Sequence, residues 1–209
     1  MIGIIEYGMG NLRSVRNALV FLGVQPVIVS NRAEIDSCDA LILPGVGAFG
    51  DGMDVLRERG LVDVLTEEVL GKKKPFLGLC LGMQLLASKG FEFGEHDGLG
   101  WIPGAVTRME TAIGGERYRI PHIGWNDVRL RPGSGFYKGF AASASFYFVH
   151  SYVLVPDDRA VVSGTFEYGR EYVASIEHGN IWATQFHPEK SHRNGLGILK
   201  NWIERWSLC

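Results

Sequence analysis

The pentapeptide Gly78-Leu79-Cys80-Leu81-Gly82 constrains the fold more than any other feature of this chain. It follows the apolar run Pro75 to Leu79 and precedes the helix-like segment Met83 to Ala87. Glycines on both sides of a central nucleophile are typical of a sharp strand-to-helix turn, which strains the central residue and leaves no room for flanking side chains. The start of a helix also favours a thiolate. The pattern therefore predicts an α/β fold with an activated cysteine, provided that a histidine elsewhere exchanges protons with it.

Short apolar runs alternate with amphipathic stretches through the first ninety residues, which predicts βαβ units and a parallel sheet. Asn11 is suited to the N-cap of the first helix and Gly23 to the position just after its end. Strands are expected at Ile2 to Glu6, Val27 to Ser30, Ala40 to Leu43 and Phe76 to Leu79, with helices over Asn11 to Leu22 and twice between Asp51 and Leu70.

The chain after Gly98 reads as strands and turns, followed by a last amphipathic helix over Gly195 to Trp206. Gly179-Asn180 predicts a tight hairpin turn. We expect these strands to complete the same sheet, so that residues 1–209 form one α/β domain with a central, mostly parallel (mixed) sheet flanked by helices. The expected strands are Ile102 to Met109, Trp125 to Leu130, Phe146 to Val155, Val161 to Tyr168, Tyr172 to Glu177 and Ile181 to Phe186.

Composition narrows the class of protein. A hydrophobic content of 46% in 209 residues supports one sizeable core, and a net charge of −2 argues against a nucleic-acid partner. The spacing of Cys38, Cys80 and Cys209 matches neither a zinc ribbon nor a disulfide framework. No segment has the features of a signal peptide or the length of a membrane span. These patterns predict a soluble protein of the reducing cytoplasm, without a membrane partner.

Four loops should meet at the carboxyl ends of the predicted strands, where α/β proteins gather their chemistry. They are Gly8-Met9-Gly10, Pro44-Gly45-Val46-Gly47, the Cys80 turn and His187-Pro188-Glu189. A nucleophile, a base and an orienting carboxylate would be supplied by Cys80, His187 and Glu189. The backbone N–H of Leu81, at the helix start, is suited to an oxyanion. The glycines around Val46 allow a second donor, although this loop alone is only a turn motif.

Cofactor and metal sites are disfavoured by the same residues. Gly8-Met9-Gly10 resembles a dinucleotide-binding fingerprint only in part, because Arg13 occupies the position of the third glycine. His187, Glu189 and His192 could ligate a metal, but Glu189 is better used on His187 and no further ligands follow at metal spacing. We expect neither a cofactor nor a metal.

Three of these segments together resemble the triad (class I) glutamine amidotransferases: Gly78 to Gln84, Pro44 to Gly47 and Phe186 to Glu189. Pro121-His122-Ile123-Gly124-Trp125-Asn126 and Tyr147 to Tyr152 are most similar to the amidotransferase subunits of imidazole glycerol phosphate synthase. The resemblance runs from Gly8 to the last helix. It implies a glutaminase that hydrolyses L-glutamine for histidine biosynthesis.

The resemblance also implies residue roles. Cys80 would be the nucleophile, His187 the acid and base, and Glu189 its orienting partner. The oxyanion would be held by Leu81 and by the segment Gly45, Val46 and Gly47. A peptide group of this segment would reorient when the active site of a partner subunit is occupied. The chain alone would therefore have poor activity. The residues implied around the glutamine are Gln84, His150, Ser151 and Tyr152.

A separate (β/α)₈-barrel cyclase subunit is the partner that the resemblance implies, because free ammonia would be protonated in water and must pass through protein to a second site. The candidate interface residues are Met9, Asn11, Arg13, Pro121, His122, Trp125 and Asn126. Trp125 could instead cap the core.

Two alternatives stay open at the level of sequence. The chain could be a related amidotransferase that serves another synthase, such as one that amidates a surface sugar, because Phe91 to Leu99 and Thr111 to Arg119 differ from the expected pattern. It could also be a noncatalytic binding or stress-protection module with an exposed cysteine, although Gln84 and His187-Pro188-Glu189 argue against this.

Overall fold

A computed structural model describes residues 1–208, and Cys209 lies outside the described residues. The strands are β1 Ile2–Ile5, β2 Val27–Val29, β3 Ala40–Gly45, β4 Phe76–Cys80, β5 Ala87–Gly90, β6 His96–Asp97, β7 Ile102–Arg108, β8 Ala112–Ile113, β9 Glu116–Arg117, β10 His122–Leu130, β11 Ser143–His150, β12 Tyr152–Pro156, β13 Val162–Glu167, β14 Glu171–His178 and β15 Ile181–Thr184. The helices are α1 Leu12–Phe21, α2 Arg32–Asp36, α3 Phe49–Glu58, α4 Leu61–Thr66, α5 Leu81–Gln84 and α6 His192–Arg205. A π-helical turn, Glu67–Gly71, continues α4, and short 3₁₀ turns span Arg159–Val161 and Pro188–Lys190.

A nine-stranded mixed sheet forms the centre, in the order β11-β10-β13-β14-β15-β4-β3-β1-β2. Strands β2, β1, β3, β4 and β15 run parallel, while β15, β14, β13, β10 and β11 pair antiparallel. The α/β fold with a mixed sheet flanked by helices is confirmed. Parallel pairing is confined to one half of this sheet, because tight turns such as Gly179-Asn180 connect the strands of the other half.

Two apolar clusters cover opposite faces of the large sheet. On one face α1 and α6 pack through residues such as Leu19 and Trp202, and on the other α3 and α4 pack through residues such as Met53 and Leu65. In β3, Leu41 and Leu43 join one cluster while Ala40 and Ile42 join the other, as the alternation of side chains along a strand requires. Both faces of the parallel half are therefore buried.

A second sheet differs from the expectation that all later strands complete the first one. It has the order β12-β7-β5-β6, and its residues Ile102, Val106 and Leu154 belong to the cluster that contains α3 and α4. The expected strand Phe146 to Val155 is divided at Ser151, because β11 pairs with β10 whereas β12 pairs with β7. The chain thus changes sheets at Ser151, beside the carboxyl ends of β3 and β4.

The helix after Cys80 is also shorter than the sequence predicts. Helix α5 makes a single turn, and the segment from Ala87 becomes β5. Backbone hydrogen bonds hold this segment to the chain that follows, with the N–H of Gly98 donating to Ser88 and that of Ile102 to Leu86. These partners are far along the chain, so local helical periodicity did not reveal them. No helix within residues 1–208 has both the length and the apolar character to cross a membrane.

Candidate active site

Cys80 sits at the carboxyl end of β4 in a strained turn. Its φ is 53° and its ψ is −106°, a backbone conformation that residues other than glycine rarely adopt. The residue is 7% exposed. A Cβ on Gly82 would lie 1.9 Å from the carbonyl oxygen of Leu43, and one on Gly78 would lie 2.7 Å from that of Gly82. The two glycines are therefore required by close backbone approach, and Cys80 is held at the edge of the sheet.

His187 follows β15, the strand next to β4, and its ring is buried. Its Nδ1 lies 2.8 Å from Oε1 of Glu189, and the hydroxyl of Ser191 donates to the His187 carbonyl over 2.6 Å. Its Nε2 has no hydrogen-bond partner among residues 1–208. Burial works against a charged ring, but the neighbouring Cys80 sulfur and the Glu189 carboxylate outweigh it and raise the pKa of His187 to about 9. The imidazole is thus oriented by the contact of Nδ1 with Glu189, and Nε2 on the other side of the ring is free to exchange protons.

A cavity of about 300 Å³ brings Cys80 and His187 together. It is open to solvent at the carboxyl ends of the parallel strands, as expected for an α/β sheet. The residues that line it are Val46, Gly47, Cys80, Leu81, Gln84, Glu92, Pro121, Val149, His150, Ser151, Tyr152 and His187. All four residues that the resemblance implies around a glutamine are in this set.

Gln84 and Tyr152 are fixed by hydrogen bonds in the cavity wall. The Nε2 of Gln84 donates to the Tyr152 carbonyl over 2.9 Å and to Oε1 of Gln185 over 3.0 Å. The Nε2 of Gln185 in turn lies 3.7 Å from the Cys80 sulfur. Sequence reasoning missed Gln185, which is fully buried; its place directly before Phe186-His187 was the available signal.

The segment Gly45 to Gly47 lies beside the cavity, but one of its expected donors is engaged elsewhere. Gly45 pairs with Cys80 across β3 and β4, and Gly47 has a φ of +111°. The N–H of Val46 donates to the carbonyl oxygen of Met9 over 3.2 Å. In this conformation the Val46 N–H does not serve an oxyanion. Leu81 N–H, the first of a helical turn, has no acceptor within that turn.

Glu92 lines the cavity and was also missed by sequence reasoning. It comes from the loop between β5 and β6, and its Oε2 accepts the N–H of Phe49 over 2.9 Å. This bond ties the carboxylate to the start of α3. As one of two glutamates in a loop of charged and aromatic residues, Glu92 gave no sequence signal.

The predicted interface residues fall into two groups. The exposed or partly exposed ones are Met9, Asn11, Arg13, Pro121, Trp125 and Asn126, all near the cavity edge of the sheet or on β10. His122 differs from the prediction because its ring is only 4% exposed and packs against Phe148, Phe166 and Tyr168. The alternation along β10 buries His122 with Val128 and Leu130, a signal that a strand begun at Trp125 overlooked.

Metal ligation was considered for His187, Glu189 and His192. The His192 ring instead stacks on Trp125, with centroids 5.1 Å apart and planes 6° from parallel. Residues 1–208 contain no group of three or more His, Cys, Asp or Glu side chains arranged to hold a metal ion.

The chain is similar over nearly its whole length to proteins of one known family. The profile of the family described as glutamine amidotransferase class-I matches residues 3–206. The chain is 48% identical to the imidazole glycerol phosphate synthase subunit HisH of Moorella thermoacetica, over 97% of this chain and 94% of the relative. It is 46% identical to the subunit of the same name from Syntrophotalea carbinolica, over 96% and 98% of the two chains. A solved glutamine amidotransferase shares the fold with a TM-score of 0.75 at 22% identity, over 99% of this chain and 98% of the other.

Proposed function

The chain belongs to the class-I glutamine amidotransferase family, and on that premise we propose that it hydrolyses L-glutamine to glutamate and ammonia. The observation that carries the proposal is the meeting of Cys80 and His187 in one cavity, with Glu189 2.8 Å behind the imidazole. A nucleophile, a base and an orienting carboxylate in this arrangement are suited to acyl transfer. This arrangement supports an enzyme over the alternative of a noncatalytic binding module with an exposed cysteine.

The reaction would begin when the Cys80 thiolate attacks the carbonyl carbon of the glutamine side chain. The new C–S bond leaves a negative charge on the carbonyl oxygen, which the N–H of Leu81 is placed to stabilise. As the C–N bond breaks, Nε2 of His187 gives a proton to the departing ammonia. The neutral imidazole then takes a proton from water, whose oxygen attacks the thioester and releases glutamate and the thiolate. A raised pKa suits His187 to the first, proton-donating half of this cycle.

Glutamine would be held by the walls of the cavity. The carboxylate of Glu92 is suited to the α-ammonium group, because an anionic side chain tied to α3 needs no rearrangement to meet a cation. Gln84, His150, Ser151 and Tyr152 would line the rest of the substrate. The cavity volume of about 300 Å³ is appropriate for one amino acid.

Replacement of the nucleophile tests the chemistry. Cys80→Ser should reduce glutamate release to the detection limit, because an alcohol is far less ionised than a thiol at neutral pH. The circular dichroism spectrum should be unchanged, since serine is similar in size. A covalent adduct with a glutamine-like electrophile should form at Cys80 and be absent from the variant. Undiminished glutamate release from Cys80→Ser would refute the assignment.

The second part of the proposal concerns the destination of the ammonia. The relatives described above are subunits of imidazole glycerol phosphate synthase, and their similarity extends over nearly the whole chain. This supports a role as the glutaminase subunit in histidine biosynthesis, with a (β/α)₈-barrel cyclase as the partner that receives ammonia. It favours that pathway over a paralogous amidation. The cytoplasm would be the appropriate location, because its thiols are kept reduced.

The partner would also complete the oxyanion site. The Val46 N–H is bonded to Met9, and a Cβ on Gly47 would lie 2.6 Å from Cε of Met9, so Met9 packs directly on this segment. Contact of a partner at Met9 would allow the Val46 peptide to turn toward the substrate. We expect slow glutamine hydrolysis by the isolated chain and a large increase when the cyclase subunit and its ligand are added.

Trp125 provides a test of the docking surface. Its side chain is 49% exposed on β10, next to Ile123 at 61%. Trp125→Ala should weaken binding of the cyclase subunit about 30-fold, as expected for an aromatic hot spot. Phe21→Ala is the matched control, because Phe21 is 76% exposed at the end of α1, remote from the carboxyl edge of the sheet. Titration calorimetry should show an effect only for Trp125, and equal effects of both changes would contradict the proposed surface.

A further inference from the structure

A row of polar groups crosses the edge of the large sheet, from the outer part of β10 to the wall of the cavity. Nδ2 of Asn126 lies 3.4 Å from Nε2 of His122, and Nδ1 of His122 lies 3.5 Å from Nε2 of His150. Nδ1 of His150 lies 2.9 Å from the carbonyl oxygen of Tyr152. That oxygen also accepts the Gln84 amide over 2.9 Å. The row therefore ends on a residue that lines the cavity.

The directions of the first and last hydrogen bonds in this row follow from the groups at its two ends. The Tyr152 oxygen only accepts, so Nδ1 of His150 carries a hydrogen. At the other end, Nδ2 of Asn126 also lies 2.9 Å from the Glu167 carbonyl oxygen, which fixes the orientation of the amide and makes Nδ2 the donor toward His122.

The middle of the row is then determined by charge. Burial lowers the pKa of His150 to about 3, and burial lowers the pKa of His122 as well, so both rings are neutral at pH 7. A neutral imidazole has one donor and one acceptor. His150 therefore accepts at Nε2, and His122 accepts at Nε2 and donates from Nδ1. All donors point from Asn126 toward Tyr152, without a conflict.

Packing holds the His122 ring in this orientation. The ring stacks on Phe166, with centroids 5.4 Å apart and planes 8° from parallel, and its centroid is 4.4 Å from that of Tyr168. His122 and His150 are also directly paired across β10 and β11, which places their side chains on the same face. Rotation of the ring would break these aromatic contacts.

We propose that His122 is a positioning residue: its Nδ1–H fixes the ring of His150, and through it the Tyr152 carbonyl and Gln84 in the wall of the substrate cavity. The inference rests on the proposed function, because it assigns this wall to glutamine. The His122 side chain acts through His150 and does not touch the substrate. Loss of its donor would leave a buried acceptor unpaired on His150 and would release the chain where it changes sheets at Ser151.

Nitrogen-15 NMR of the imidazoles in the full wild-type chain tests the row without any substitution. His122 and His150 should both be neutral at pH 7, with a hydrogen on Nδ1 and none on Nε2. A hydrogen on Nε2 of His150 would leave the donor assigned to His122 without an acceptor, and a hydrogen on Nε2 of neutral His122 would remove that donor from Nδ1, so either result would overturn the proposal.

A matched pair of variants tests the consequence for the site. His122→Asn and His122→Leu have nearly the same shape and both lose the aromatic ring, but only asparagine keeps a donor near the position of Nδ1. In the complex with the cyclase subunit, His122→Leu should raise KM for glutamine about tenfold, as expected for one unpaired buried group, and change kcat little. His122→Asn should remain within about threefold of the wild type. Equal KM values for the two variants would overturn the proposal.

Asn126→Asp keeps the test independent of the buried cluster. Asn126 is partly exposed, and aspartate replaces the donor with an acceptor of the same shape. His122 should then carry a hydrogen on Nε2, visible in the same spectra, whereas an unchanged Nε2 would contradict the assigned direction. Failure of the wild-type complex to hydrolyse glutamine would refute the proposed function instead, and the wild-type tautomers would still decide whether the row exists.

Discussion

At the scale of single residues, the candidate site depends on two residues that are held in unfavourable states, one in its backbone conformation and one in its charge. Cys80 is strained in its backbone, and His187 is buried yet favours its charged form. Each is held by the rest of the fold: Cys80 by β4 and α5, and His187 by Glu189 and Ser191. Such local costs are common at sites of chemistry, where the surrounding structure compensates for them.

The pKa of His187 predicts how the stability of the fold depends on pH. Its value of about 9 in the folded chain lies above the value near 6.5 of a free histidine, so folding favours the protonated ring. This stabilisation is complete below pH 6.5 and is lost as the pH rises through 9. Glu189→Gln removes the carboxylate and should destabilise the chain most below pH 6.5.

Urea denaturation at several pH values measures this effect. The difference in free energy of unfolding between the wild type and Glu189→Gln should shrink from pH 6 to pH 9. Glu58→Gln, which makes the same change in charge at an exposed position, should show no such trend. A difference that stays constant over this range would contradict a charged His187–Glu189 pair.

At the scale of elements, the turn between β4 and α5 is fixed by how closely backbones approach. The first turn of α5 lies directly on β3, which is why residue 82 has no side chain. Gly82→Ala would force a methyl group against the Leu43 carbonyl and should destabilise the chain by about 3 kcal/mol. It should also displace Leu81, the proposed oxyanion donor.

Gly71→Ala is the control for this prediction. Gly71 ends the π-helical turn, and a Cβ there would meet no atom within 4 Å. Its stability in urea should equal or slightly exceed that of the wild type, because alanine restricts the unfolded chain. A Gly82→Ala variant as stable as Gly71→Ala would mean that the turn can open freely.

At the scale of the whole molecule, the two sheets share a core. Ile102, Val106 and Leu154 of the small sheet belong to the same cluster as the helices α3 and α4, and Trp101 packs edge-on against Phe76 of β4 with centroids 5.1 Å apart. Neither sheet buries its inner face without the other. We therefore expect the chain to unfold as one domain.

This expectation is checked with two local probes. Trp101 reports on the small sheet and Trp202 on α6, at opposite faces of the large sheet. Two variants, in which either Trp101 or Trp202 is the single tryptophan left in the chain, should give coincident denaturation curves by fluorescence, as for a two-state transition. Separate midpoints would show that the small sheet is an independent unit.

Features that depend on neighbouring residues could be predicted from the amino-acid sequence. The Gly-x-Cys-x-Gly turn, the alternation of strands and helices, and the pairing of His187 with Glu189 two positions later are all local patterns. The first helix also agreed, with Asn11 at its N-cap and Gly23 at a φ of +86° beyond its end. Short-range steric contacts and hydrogen bonds set such features, so they can be predicted without knowledge of the tertiary structure.

Features that depend on distant partners could not be predicted in this way and became visible in the folded chain. Strand β5 replaced a helix because it pairs with the later strands β6 and β7, and β11 and β12 separated because they pair with different strands. For the same reason Glu92 joined the cavity, Nε2 of Gln185 came within 3.7 Å of the Cys80 sulfur, and His122 was buried beside His150. Which atoms meet across a sheet is set by register and by the packing of its two faces, and no short stretch of sequence contains that information.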